Sequence, residues 1–432
     1  MVSLFEETDI NGMTLSNRFV RSATWDGLAA DDGACTDRMV DLLSELVKGG
    51  VGLIITGHAY VHQNGKHQDW QLGIHRDNLI PGLKTLTDRV HEERGRIVLQ
   101  LGYGGSYLSK SRLRNLTLSD IQDMARDYGL AALRAKKAGF DGIQIFAAHG
   151  FLLSQFLCPR YNDRTDEYGG SLENRARVLM EVTRAVRDTV GARYPVLTKI
   201  NCRDFVENGL TLEDSLGVSV MLKKAGIDAI ELSGGLLNLP NLMKEDIDSE
   251  EGEAGFKSEA KAFKERISVP LLLVGGIRSL RVAEKLIEKG YADYISMCRP
   301  FIREPHLINR WKSGDRQKAT CISCNNCIQE ARSGEGLRCV PKKEEPSETF
   351  FPEISETVPA SPPLPPGTAY RISIGIEDWN SSFLPVVKIE TVINGEVTNR
   401  STSFPLGSKD NETVAKAITE LLKKHDAIHS KN

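Results

Sequence analysis

Eight short runs of apolar, strand-favouring residues recur along the chain: Phe19–Ala23, Gly52–Thr56, Ile97–Leu101, Gly142–Ile145, Val196–Ile200, Ala229–Leu232, Leu271–Val274 and Tyr294–Met297. Between them, apolar positions fall at three- and four-residue spacing, as in DRMVDLLSELVKGG, LSDIQDMARDYGLAALRAKKAG, LENRARVLMEVTRAVRDTVG and LRVAEKLIEKG. That spacing gives a helix one apolar face to lay against a sheet. Several of these helices stop on glycine and lead almost directly into the next strand: KGGVGLII, KAGFDGIQI, KAGIDAIEL and KGYADYIS. Glycine is the usual left-handed stop after a helix. Strand–helix alternation with such short returns predicts a parallel α/β sheet. Eight units favour a closed (β/α)₈ TIM barrel over residues 1–315, and an open doubly wound sheet is the rival.

The pattern changes near residue 340. KKEEPSETFFPEISETVPASPPLPPG, within 341–367, is rich in proline, glutamate and serine and predicts an extended linker. After it, YRISIGIEDW and VVKIETVING alternate like strands, and NETVAKAITELLKKH reads as a helix with Asn411 as its cap. A small ββα-type α+β appendage is expected over 368–432, and a Cys-rich segment over 316–340.

Composition narrows the classes of function. The 432 residues carry a net charge of −3, so there is no basic footprint for nucleic acid or an anionic membrane surface. No apolar run is long enough to span a bilayer, and MVSLFEETDING lacks the charged and apolar regions of a secretory signal. The expectation is a cytoplasmic protein with no nucleic-acid or membrane partner. In a reducing cytosol, its eight cysteines would be thiols or metal ligands.

Barrel active sites lie at the C-terminal ends of the strands. The residues there are Gly57 and His58 after the second run, and Gln100 and Tyr103 at the third. Phe146, His149 and Phe151 follow the fourth run, and Lys199, Asn201, Cys202 and Arg203 mark the fifth. Gly275, Gly276 and Arg278 follow the seventh, and Cys298 and Arg299 the eighth. Two bare glycines ahead of a helix, with Arg299 close by, suit a phosphate. The bland alternative is a tight turn beside a surface charge. A lysine in the barrel mouth can stabilise negative charge on a bound ring, and a glutamine amide can pair with polar ring edges. Both would equally fit a satisfied polar layer. His149 sits in a glycine-containing turn, where an imidazole can meet a carbonyl or carry a proton. A lone histidine of this kind is also compatible with a structural role.

DGIQIFAAHGFLLSQFLCPRYNDRTDEYGGSLENRARVLMEV closely resembles the signature region of the old yellow enzyme family. LFEETDINGMTLSNRFVRSAT is similar to that family's opening, VLQLGYGG to its third strand, and VGGIRS with MCRPFIREP to its phosphate-binding end. The resemblance implies bound FMN, with NAD(P)H as an electron donor and a small unsaturated acceptor. It implies Ser22, Ala23, Gln100 and Lys199 around the flavin ring, with backbone near Gly57 and His58. It also implies Gly275, Gly276, Cys298 and Arg299 at the phosphate. The family more often has arginine where Lys199 stands. Its substrate-binding pair of ring residues is reduced here to His149, with Phe146 in the other place. Phe151 replaces the usual proton-donating tyrosine, and a phenyl ring has no proton to give. Tyr103 is the first candidate to stand in, ahead of Tyr60, His58 and Cys202.

Cys321, Cys324, Cys327 and Cys339 follow C-x2-C-x2-C-x11-C. Thiolates this close suit an iron–sulfur cluster or structural zinc. Four unmetallated thiols are the plain alternative. The segment resembles the cluster motif of the branch containing trimethylamine dehydrogenase and 2,4-dienoyl-CoA reductase, where the second gap is usually three residues. That likeness implies [4Fe–4S]. No GxGxxG follows a strand after residue 340, so the second flavin domain of that branch is not expected. Electrons for a cluster would come from FMN or from a protein electron donor. Three functions compete: an ene-reductase-like enzyme, an amine dehydrogenase or demethylase, and a flavin-binding electron carrier. Oligomeric state is not legible.

Overall fold

The structure is a computed structural model, and it describes residues 3–104, 110–236, 249–340, 350–362, 364–379, 382–398, 402, 404 and 409–429. The chain divides into two compact units, Met1–Val340 and Pro341–Asn432. The four-cysteine segment belongs to the first.

The first unit is the closed barrel. Its strands are β1 (Phe19–Arg21), β2 (Leu53–Ile55), β3 (Ile97–Gly102), β4 (Gly142–Ala147), β5 (Val196–Asn201), β6 (Ala229–Ser233), β7 (Leu271–Leu273) and β8 (Tyr294–Met297). All pair in parallel in chain order, β8 returns to β1, and β2 pairs with β3 to complete the ring. The expected runs match these strands to within two residues at each end. The open-sheet rival is excluded by the closure.

Side chains alternate across each strand, and that alternation builds the interior. Val20, Leu53, Ile55, Val98, Leu197, Ala229, Leu272 and Tyr294 form one buried apolar cluster. Ile10, Met13 and Leu15, from a short hairpin of Thr8–Ile10 with Met13–Leu15, join the same cluster and plug that end. Residues one position away, such as Phe19, Ile54, Ile143 and Ile230, belong to the larger cluster that includes the helices. Two residues beyond the apolar layer the interior turns polar: Ser22, Gln100, Lys199, Glu231 and Ser296, with Gln144 on β4, are all buried.

The second unit corrects three expectations. The stretch 341–367 is not wholly an extended linker: Phe350–Pro359 forms strand β9 and pairs antiparallel with β10 (Thr368–Trp379). Residues 341–349 lie outside the described ones. Alternating Ile354, Glu356 and Val358 give this proline-flanked stretch the two-residue period of a strand. β11 (Ser382–Ile393) and the short β12 (Glu396–Val397) extend the sheet, so it has four strands among the described residues rather than two. Tyr370, Ile372 and Ile374 meet Val414, Ala417 and Leu421 of the helix Asp410–His429. Asn411 is inside that helix and does not cap it. Asp410 is the helix's first residue, and its carboxylate accepts from the Ser361 backbone N–H and the Tyr370 hydroxyl.

Candidate active site

One cavity of about 450 Å³ opens at the C-terminal ends of the barrel strands. Ser22, Ala23, His58, Gln100, His149, Lys199, Gly275, Gly276, Cys298 and Arg299 all line it. These residues come from loops and strand ends far apart in sequence, and barrel closure brings them together. Gly57 and Tyr103 are not among its lining residues. A Cβ at Gly57 would stand 2.7 Å from the Thr24 carbonyl oxygen, so this glycine lets two strand ends approach. Tyr103 stacks on His62, with ring centroids 6.2 Å apart.

The floor is a continuous buried network. Lys199 Nζ donates to Ser22 Oγ at 2.9 Å and lies 3.4 Å from a Glu231 carboxylate oxygen. Glu231 also accepts from Ser296 Oγ at 2.6 Å and from Gln144 Nε2 at 3.0 Å. Gln144 in turn accepts from Gln100 Nε2 at 2.7 Å. Burial alone would push the Glu231 carboxyl up. Lys199 and hydrogen bonds from Ser296, Ser22 and Gln144 outweigh it and hold the group below the ordinary carboxylate range. Sequence reasoning missed Glu231, Gln144 and Ser296. Counting two residues on from the apolar interior positions finds them.

The wall is aromatic. The Phe146 and Phe151 ring centroids are 4.4 Å apart, and His58 meets Phe151 edge-on at 4.8 Å. His58 is buried, and its Nε2 has no hydrogen-bond partner among the described residues. Burial, with His67 nearby, pushes its imidazole down to about 3. His149 sits at a φ of 62°, and its backbone N–H donates to Asn201 Oδ1 at 3.1 Å. Its Nε2 is 2.7 Å from Ser233 Oγ, a contact the sequence did not suggest. Burial, then Lys199 and His58, hold the His149 imidazole well below its ordinary value. It is therefore neutral at pH 7.

At the other end, Gly275 and Gly276 have φ values of 141° and 74°. A Cβ on Gly275 would come within 2.9 Å of the Phe256 ring. The amides that follow are already used: the backbone N–H groups of Arg278 and Ser279 both donate to Glu253 Oε2. The expectation of a phosphate on that helix start is thus narrowed to the glycine pair itself and the arginines. Cys298 Sγ is 2.9 Å from Thr24 Oγ1. Arg299 Nη1 donates to the Ser323 carbonyl at 3.2 Å and to Asn325 Oδ1 at 2.8 Å. Arg278 Nη1 donates to the Cys321 carbonyl at 2.8 Å. The cavity's basic end is thereby tied to the cysteine segment.

These features fit FMN. A cation and an amide stand at the floor for the polar edge of a ring, with His58 Nε2 open beside them. Bare glycine backbone and arginines stand at the far end for a phosphate.

The cysteine segment is less closed. Cys327 is buried, and Cys321, Cys324 and Cys339 are half-buried. Burial pushes the Cys327 thiol up to about 12, and Cys298 and Cys321 add to the effect. Among the described residues, no three His, Cys, Asp or Glu side chains converge closely enough to hold a metal ion. As arranged, the four thiols do not enclose an ion.

Fold and cavity together define a flavin-binding oxidoreductase barrel. The chain belongs to the NADH:flavin oxidoreductase / NADH oxidase family, whose profile matches residues 3–113 and 108–318. It is 32% identical to a Thermoanaerobacter brockii NADH oxidase, over 82% of this chain and 58% of that protein. It is 32% identical to a Bacillus subtilis NADPH dehydrogenase, over 70% of this chain and 92% of that protein. A solved 2-naphthoyl-CoA reductase bound to 2-naphthoyl-CoA superposes with a TM-score of 0.71 at 27% identity, over 78% of this chain and 56% of that one. The chain thus spans under two thirds of the NADH oxidase and of the naphthoyl-CoA reductase. Among the described residues, no helix is long and apolar enough to cross a membrane.

Proposed function

We propose that this chain is an FMN-dependent oxidoreductase that carries hydride between NAD(P)H, or another donor, and a small electron-poor, enone-like substrate. The observation that carries the reading is that one and the same cavity has Lys199 and Gln100 at its floor and Gly275, Gly276 and Arg299 at its far end. Bound FMN supplies the hydride-transfer chemistry. Lys199, Gln100 and Ser22 hold the polar edge of its ring, and Ala23, His58 and the backbone near Gly57 flank it. Gly275, Gly276, Cys298 and Arg299 hold its phosphate. Phe146 and Phe151 exclude water from the reacting face. His149, neutral and held by Ser233, donates or accepts a hydrogen bond at the substrate. The names of the Thermoanaerobacter and Bacillus relatives support a nicotinamide donor.

Phe151 favours a second reading, an amine dehydrogenase or demethylase, because oxidation at the flavin needs no proton from a tyrosine at that place. Anaerobic stopped-flow reduction of the bound flavin by NADH, NADPH and simple secondary and tertiary amines separates the two. Fast bleaching by a nicotinamide, with reoxidation by an enone, supports the first reading. Bleaching by an amine alone replaces it with the second. No turnover with either leaves the chain an electron carrier.

The cysteine spacing supports a [4Fe–4S] cluster at Cys321, Cys324, Cys327 and Cys339, with zinc as the alternative and a protein electron donor as the partner. A reducing, cytosolic setting belongs to the same reading, with the eight cysteines as thiols or metal ligands. Domain roles follow the same reading: 1–315 binds the flavin, 316–340 the metal, and 368–432 forms the larger part of the appended domain.

A further inference from the structure

The Lys199–Glu231 pair is set by the barrel itself. The two residues are direct partners in the register of β5 and β6, and both point inward. Glu231 is fully buried, and the Lys199 side chain is 4% exposed. Burying a charge this deeply is costly unless it is paired and hydrogen-bonded. Glu231 meets that condition through Lys199, Ser296 and Gln144.

The chemistry of those bonds has a direction. An ionised carboxylate only accepts hydrogen bonds. Gln144 must therefore turn its NH₂ toward Glu231, which leaves its carbonyl to accept from Gln100 Nε2. The Gln100 carbonyl is then the end of that amide left for the cavity. Glu231 and Gln144 do not line the cavity, whereas Gln100 and Lys199 do. Whatever Glu231 does for a ligand, it does through those two side chains.

We propose that Glu231 is the positioning residue of this site: its carboxylate holds Lys199 in the floor, offsets part of its charge, and fixes which end of the Gln100 amide meets the flavin. The inference rests on the FMN reading above. Reducing a flavin adds negative charge to its ring, and a floor cation favours that form. Glu231 moderates the preference. A neutral glutamine in its place leaves Lys199 uncompensated and frees the amide relay to reverse.

The test uses the full-length apoprotein, titrated by fluorescence with oxidised FMN and, anaerobically, with dithionite-reduced FMN. The ratio of the two dissociation constants is the readout. Glu231→Gln is expected to shift that ratio at least tenfold toward reduced FMN, and Lys199→Met to shift it the other way. In the Lys199→Met background the carboxyl has lost its cation and takes up a proton, so adding Glu231→Gln changes the ratio less than twofold. Glu231→Asp, which keeps the charge but draws the carboxylate back from Lys199 by one methylene, should shift the ratio in the same direction by a smaller factor, and decides the matter if Glu231→Gln alone fails to fold. A purely structural Glu231 would weaken both FMN forms equally, and an unchanged ratio overturns the proposal. So does an equal shift with and without Lys199. A parent chain that takes up no FMN overturns the function reading as well, which distinguishes the two failures.

Discussion

The rings of Phe146 and Phe151 lie 4.4 Å apart between centroids and form one apolar wall of the cavity. Both stand where the family resemblance leads one to expect polar groups. The pair removes a proton donor from the face that a substrate would meet. Restoring the hydroxyl with Phe151→Tyr should raise reoxidation of the reduced enzyme by cyclohexenone by about a hundredfold, the lower range for a positioned general acid. Tyr103→Phe should change the same rate by less than about twofold, because Tyr103 does not line the cavity. Single-turnover reoxidation measures both. A large loss in Tyr103→Phe would restore that residue to the mechanism.

His58 makes stability depend on pH. Its imidazole falls to about 3 in the fold from an ordinary 6.5, so the unfolded chain binds more protons between those values. Its contribution is intact above pH 6.5 and is lost as pH falls toward 3. By pH 4 the loss is on the order of 3 kcal/mol. Asp26 acts in the opposite sense, because burial raises its carboxyl to about 6. Urea unfolding of the parent and of His58→Gln isolates the histidine term. The gap between them should change by that amount from pH 7 to pH 4, and a constant gap would show that His58 is not held neutral.

Arg299 serves two structures at once, since its guanidinium reaches both the cavity and Ser323 and Asn325. Arg299→Ala should weaken FMN by about 2 kcal/mol, the scale of a hydrogen bond to a charged group. Arg299→Lys should recover part of that, because a lysine keeps the charge and loses the fork. The same substitution should speed hydrogen exchange at 321–325. Fluorescence titration and exchange mass spectrometry read the two effects, and loss of FMN without faster exchange would break the link.

The four cysteines yield a separate outcome. Chain purified without oxygen should carry iron with sulfide, or zinc, at one site. Replacing Cys321, Cys324, Cys327 and Cys339 with serine should abolish the metal while FMN still binds. Metal analysis of both proteins gives the answer, and metal-free parent protein would leave the segment a structural clasp.

Much of the barrel was legible because its strands and helices obey two simple periods, and glycine marks each return. His58, Gln100, His149, Lys199 and Arg299 were legible for the same reason, since each stands in or just past the C-terminal end of a strand, and Ser22 was legible through the family resemblance. Glu231 and Ser296 were hidden inside apolar-looking runs, where only the two-residue alternation and the ring closure bring them under the cavity. Tyr103 also follows a strand, yet its ring stacks on His62. No local pattern encodes that direction. Glu253 could not be foreseen, because it reaches Arg278 and Ser279 from a separate loop. The strand Phe350–Pro359 was masked by its prolines, which are tolerated where a strand lies at a sheet edge.

The central claim is that the barrel mouth is an FMN site, and a flavin titration of the apoprotein tests it most directly. The account predicts one FMN bound per chain, with a shifted flavin absorbance band, preference over riboflavin through the phosphate end, and marked weakening in both Lys199→Met and Arg299→Ala. Equal affinity for riboflavin, or FMN binding untouched by both substitutions, would contradict it.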